Sequence, residues 1–149
     1  ILGWLGKFYQ RLYEGLALYI RQLAWLYAVP RDAKKSRIDA LIYDGMEPDL
    51  PDIDAAHIVE YLKDIGFSEQ PLSSQELLAW CNLRECELQL WESEFMRKLS
   101  REYASQYFAA QEKNCPAPYV SEELSAHNAQ AITDKMRRQM TALIPAEIK

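Results

Sequence analysis

Apolar side chains recur at positions 5, 8, 9, 12, 16, 19, 20, 23 and 26 of the chain. That spacing follows one face of an α-helix, and it predicts a first helix over residues 3–28, weakened near Gly15. Trp4, Tyr13 and Trp25 widen the apolar face, so the helix wants burial on more than one side. Pro30 ends it, because the residue before a proline resists helix. A second helix is expected from Asp32, as its cap, to Asp44, with Gly45 as its stop and Ile38, Leu41 and Ile42 turned inward. Residues 46–51, MEPDLP, read as a rigid acidic connector. Asp52 is then expected to cap a third helix that runs to Ile65, ends at Gly66 and turns Ile58, Val59, Leu62 and Ile65 inward.

The stretch PLSSQELLAWCNLRECELQLWESEFMRKLSREY, residues 71–103, carries the sharpest local signals. Ser73 followed by Glu76 is the spacing of a capping box, and Leu72 and Leu77 can staple across it. A helix therefore starts at Ser74. Further on, Trp91, Phe95, Leu99, Tyr103 and Tyr107 recur every four residues, an apolar stripe on a long helix ending near Glu112. Such a stripe serves either as core or as a groove for a partner. No Gly or Pro lies between Leu72 and Asn114, so propensity permits one helix of about 40 residues, far beyond the usual length in a compact domain. A break is expected between Arg84 and Gln89. Residues 114–119, NCPAPY, form a linker, and Ser121 caps a last amphipathic helix through Leu143. No segment alternates as a strand would. The expected fold is all-α, with about five to six helices, arranged as an apolar N-terminal helix (1–29), a helical core (31–112), a linker (113–120) and a C-terminal helix (121–144).

Composition agrees: of 149 residues, 49% are hydrophobic and 26% charged, as in a globular chain. Net charge is −5 and unevenly spread. Residues 1–37 hold seven basic and two acidic side chains, and residues 38–79 hold one basic and ten acidic. Two readings follow. Either the segments neutralise each other or are simply solvated, or a basic arm meets an acidic partner or nucleic acid. A globally basic nucleic-acid binder is disfavoured. The first helix is interrupted by Lys7, Arg11, Glu14 and Arg21, so it is not a membrane span. Three cysteines, Cys81, Cys86 and Cys115, form no even framework and point to a reducing compartment. With only His57 and His127 as imidazoles, zinc spacing is lacking, and no cofactor is implied. The chain opens at Ile1 without Met, which suits a trimmed chain, an incomplete one or the downstream part of a longer translation product.

Catalytic signatures are missing as well. There is no P-loop, GxGxxG, HExxH, GxSxG or paired CxxC, and the carboxylates are scattered over helix faces. His57 is expected to be a surface or internally satisfied histidine, and the chain is not expected to be an enzyme. A helix-turn-helix regulator is the weaker alternative. Residues 52–65 and 74–82 have its layout, but the first helix is acidic and the second ends in Arg84 alone.

AWCNLRECELQLWESEFMRKLSREY resembles a pattern in the phage tail assembly chaperones, small tail proteins of long-tailed phages and prophages. The matching elements are Ala79-Trp80, then Trp91-Glu92, then Arg97-Lys98-Leu99-Ser100-Arg101-Glu102-Tyr103. The Asp52-Ile53-Asp54 segment upstream and Cys115-Pro116-Ala117-Pro118-Tyr119 downstream fit the same group, and the likeness spans about residues 50–120. Cys86 stands where the family usually has Gly, and Leu90 where it has Pro; those two residues would make the turn. The resemblance implies a cytoplasmic protein of the bacterial host that holds the helical, aggregation-prone tape measure protein during tail assembly. Family members arise as frameshift extensions, which also suits a chain that starts without Met. The anchors implied for such a partner are Trp4, Phe8, Tyr9 and Leu12 on the first helix, and Trp80, Trp91, Phe95, Leu99 and Tyr103 beyond it. Self-association through residues 1–29 is expected too. The alternative is a structural component of the phage particle or a prophage-encoded interaction protein, and presence in purified mature particles would separate it from an assembly chaperone.

Overall fold

A computed structural model describes residues 2–118 and Arg137, with side chains from Gly6 onward. The chain divides into two units, Ile1–Pro118 and Tyr119–Lys149. The expected C-terminal helix over residues 121–144 falls outside the described residues, Arg137 apart. The first unit holds five helices: α1 (Leu2–Tyr27), α2 (Arg37–Tyr43), α3 (Ala56–Ile65), α4 (Ser74–Arg84) and α5 (Leu90–Ala110). The described residues contain no strand, so the fold is all-α. None of these helices is long and apolar enough to cross a membrane.

α1 and α5 form the spine. Tyr9 and Tyr13 of α1 meet Phe95 near the start of α5, with ring centroids 6.3 and 5.4 Å apart. At the other end the Trp25 indole N–H donates to the Cys115 carbonyl at 2.9 Å, and the Arg31 N–H donates to the Gln111 carbonyl at 2.8 Å. The two helices therefore run parallel. Parallel packing brings two helix C-termini, each with a partial negative charge, to one end of the molecule. Arg37 answers both. Its guanidinium donates to the Trp25 carbonyl at 3.0 Å and to the Glu112 carbonyl at 3.1 Å while lying over the Trp25 ring.

The core is one cluster. Leu16, Ala17, Ile20 and Ala24 of α1 pack with Ile58, Val59 and Leu62 of α3, Leu72, Leu77 and Trp80 around α4, and Phe95, Met96, Leu99 and Tyr103 of α5. α1 and the helices after it share this cluster inside one unit. α1 also runs through Gly15 without a break.

Two caps differ from expectation. Asp32 does not start α2: it sits in a turn closed by Ala33 N–H to the Pro30 carbonyl, at φ 68°, a left-handed position that Asp tolerates better than most residues. Ser36 caps the helix instead, its Oγ accepting the Asp39 N–H at 3.2 Å. α2 is correspondingly short and buries none of its residues fully; Ile42, expected inside, is exposed. Asp52 likewise does not cap α3. The chain stays irregular so that Ile53 and Ala55 can pack on the core, and Ala55 at φ 57° is the cap residue. Gly66, at φ 97°, ends α3 as expected.

The break between α4 and α5 falls where it was expected. Glu85 takes the left-handed conformation, φ 51° and ψ 41°, and the Cys86 N–H reaches back to the Cys81 carbonyl at 3.0 Å. That bond is the mark of a Schellman end. The turn thus forms without the glycine and proline that the resembled pattern uses. α5 then restarts with Glu92 reaching back to the Gln89 N–H at 2.9 Å.

Candidate partner-binding surface

α4 carries apolar residues around most of its circumference: Leu77, Leu78, Trp80, Cys81 and Leu83. Only one side of a helix can face the core. Leu77 and Trp80 do so, which leaves Leu78 at 63% and Leu83 at 84% exposure. Leu78 lies on the wall of a shallow cleft of about 620 Å³ between α4, the turn after it and α5. Leu77, Cys81 and Leu88 add to its apolar lining, and Glu87 and Arg97 bring one charge of each sign to it.

A chain of aromatic rings links α1, α5, α3 and α4. Tyr9 and Phe95 both contact Trp91, at 5.7 and 5.3 Å between centroids. Trp91 meets the His57 ring edge to face, His57 meets Tyr61, and Tyr61 meets Trp80 at 5.1 Å. Several polar groups among these rings are paired. His57 Nε2 pairs with Glu92 Oε2 at 2.8 Å, while the other Glu92 oxygen accepts the Gln89 N–H. Glu92 is thereby spent on joining α3 to the start of α5. The Trp91 indole donates to the Gln89 side chain at 2.8 Å. One Asp64 oxygen accepts from the Trp80 indole and from Arg84 Nε, and the second accepts from Arg84 Nη2. Among the described residues, no group of three or more His, Cys, Asp and Glu side chains converges as a metal site would.

The residues named as anchors divide three ways. Phe8 is the most exposed of them, at 53%. Tyr9, Leu12 and Trp91 are half-buried and form the outer layer of the core. Trp80, Phe95, Leu99 and Tyr103 are buried, with Tyr103 stacked on Phe67 at 4.2 Å, so these four pack within the core. The side chain of Trp4 lies outside those described. The four-residue stripe of α5 is thus core through Tyr103. Sequence reasoning passed over Leu78, Leu83 and Leu90, which are the exposed apolar side chains around the α4–α5 turn. A signal was present in α4, whose apolar residues do not keep to one face.

Comparison of the chain with protein-family models, curated proteins and solved structures finds no match.

Proposed function

We propose that this protein is a non-enzymatic helix-binding module that takes an apolar helical segment of a partner into the cleft between α4 and α5. On the resemblance of residues 50–120, the partner is the tape measure protein and the module is a phage or prophage tail assembly chaperone. The observation that carries the reading is the cleft wall itself: Leu77, Leu78, Cys81 and Leu88 contribute apolar lining, with Leu78 largely open to solvent. A helical segment presenting aliphatic residues at every third or fourth position fits such a lining, and Arg97 and Glu87 can orient it by charge.

The polar pairs between helices support a binding role over a chemical one, because His57, Glu92, Asp64 and Arg84 are engaged in joining one helix to another. DNA binding has less support. α4, which would have to enter a groove, contains Arg84 as its only cation, and Asp64 holds it. Within this reading the protein works in the cytoplasm of the bacterial host and needs no cofactor.

Co-expression with helical fragments of a tape measure protein, followed by affinity capture, tests the proposal. Leu78→Asp should abolish capture while leaving the thermal midpoint in place, and Leu83→Asp, outside the cleft, should retain capture. Equal capture by wild type and Leu78→Asp would reject the cleft.

A further inference from the structure

We propose that Cys81 and Cys86 form a reversible dithiol–disulfide site across the end of α4, with a low-molecular-weight disulfide as its oxidant. The geometry comes from the helix end. In a Schellman turn the third residue from the end and the second residue past it are brought side by side, ordinarily as an apolar contact. Here those positions are Cys81 and Cys86, joined by the 3.0 Å bond from the Cys86 N–H to the Cys81 carbonyl. Glu85 supplies the left-handed residue between them. Backbones drawn together in this way suit the short Cα separation a disulfide requires. Both thiols are free, neither is fully buried, and both line the open α4–α5 cleft, where a small oxidant can reach them.

The surroundings divide the labour between the two. Burial, and then the neighbouring Cys86, push the Cys81 thiol up, so Cys81 is the poorer first nucleophile. The neighbouring Tyr61 hydroxyl has its own pKa raised chiefly by Cys86. The Cys86 thiolate attacks one sulfur of the small disulfide, forming a mixed disulfide and expelling one thiolate. Cys81, on losing its proton, attacks the Cys86 sulfur of the mixed disulfide, forms the internal bond and expels the second thiolate. Two protein thiols lose two electrons and two protons, and one small disulfide becomes two thiols. The bridge fixes the turn that separates α4 from α5.

Full-length protein equilibrated across a series of reduced and oxidised glutathione ratios, then acid-quenched, alkylated and weighed, tests the site. The expected product lacks two hydrogens and carries one alkyl group, on Cys115. Trypsin cleavage after Arg84 should give two peptides held together by a Cys81–Cys86 bond. Half-oxidation should need at least tenfold less oxidised glutathione in the folded protein than in urea, since the fold supplies the alignment. Cys115→Ser should behave identically, and Cys81→Ser should stop at a glutathione adduct on Cys86. Glutathione adducts on the wild type without a bridge, or bridging equally easy in urea, would overturn the proposal.

Discussion

The Trp80 indole N–H donates to Asp64 Oδ2 at 2.7 Å, and this bond ties α4 to α3 across 16 residues of chain. The same carboxylate takes the Arg84 guanidinium at 2.8 Å through both oxygens. The Trp80 bond is the main cause that holds the Asp64 carboxyl below the usual carboxylate range, opposed by partial desolvation and aided by Arg84. A carboxylate with a depressed folded-state pKa stabilises the fold at every pH above its unfolded value, near 3.9, and loses that contribution as the pH falls through the folded value. Asp64→Asn is therefore expected to lower the thermal midpoint at neutral pH. The difference from wild type should shrink as the pH drops below about 4. A difference independent of pH would show that the carboxylate's charge does not matter.

Two backbone positions invite opposite substitutions. Gly15 is helical, and a Cβ there would meet nothing within 4 Å. Gly15→Ala should stabilise the protein by about 1 kcal/mol, the propensity gap between the two residues. Glu85 sits at φ 51°, where a side chain is strained. Glu85→Gly should stabilise by about 0.5–1 kcal/mol, with strain relief partly offset by a freer unfolded chain. Chemical denaturation of both variants reads these values directly, and a destabilised Glu85→Gly would mean that its side chain contributes more than the turn geometry costs.

Ser73 caps α4 with its Oγ accepting the Glu76 N–H at 3.1 Å. Ser73→Ala should cost about 1 kcal/mol, the usual loss for an N-cap hydroxyl. Leu72, next to it, is held separately by the Ser100 hydroxyl at 2.8 Å, so the entry to α4 should survive and only the helix start should fray. Hydrogen exchange at Ser74 to Glu76 would rise locally, and global loss of protection would contradict a local role.

Trp91 and Phe95 sit one turn apart on α5 but are not equivalent. Phe95 is buried against Tyr9, Tyr13 and Trp91, and Phe95→Ala should cost about 3–5 kcal/mol. Trp91 is half-buried, and its indole bonds only to Gln89 in its own helix turn. Trp91→Ala should cost about 2 kcal/mol, since less of the ring leaves the core. Urea midpoints of the two variants in the same buffer separate them, and a costlier Trp91→Ala would mean that Trp91, not Phe95, anchors this end of the spine.

Residue periodicity made much of this fold legible. The stripes at Leu16, Ile20 and Leu23 and at Phe95, Leu99 and Tyr103 are the core, and Ser73 and Gly66 act at the helix ends assigned to them. The caps of α2 and α3 were not legible, because Asp32 and Asp52 have the right chemistry for a cap but the chain bends for other reasons: a turn after Pro30, and the burial of Ile53 and Ala55. The candidate surface was harder still. Aromatic residues look like binding anchors in a sequence, yet large rings have the most to gain from burial, and Trp80, Phe95 and Tyr103 went inside. The leucines left outside, Leu78 and Leu83, differ from core leucines only by which way α4 is rotated, and that is decided by contacts with α3 and α5.

That same packing decides what the N-terminal segment can be. An apolar helix over residues 1–29 could be a detachable arm that docks on another chain, in which case its removal would leave a folded remainder. The structure puts Leu16, Ile20 and Ala24 of α1 against α3 and α5, with Leu16 and Ile20 fully buried. Removing them would expose Ile58, Met96 and Leu99, themselves inaccessible in the intact chain. Each buried aliphatic side chain contributes about 1.5–3 kcal/mol, so the loss of three or four, with the three exposed partners counted, comes to about 9–21 kcal/mol, which rivals the roughly 5–15 kcal/mol that a domain of this kind has in hand. Deletion of residues 1–29 is therefore expected to unfold the remainder, and Ile20→Asp should do so by itself. Self-association, if carried by α1, must use its outer turns near Phe8, and Phe8→Lys should then shift light scattering toward monomer. Circular dichroism of the deletion variant decides the first point: a native-like helical spectrum with a cooperative melt would restore α1 to the role of a separable arm.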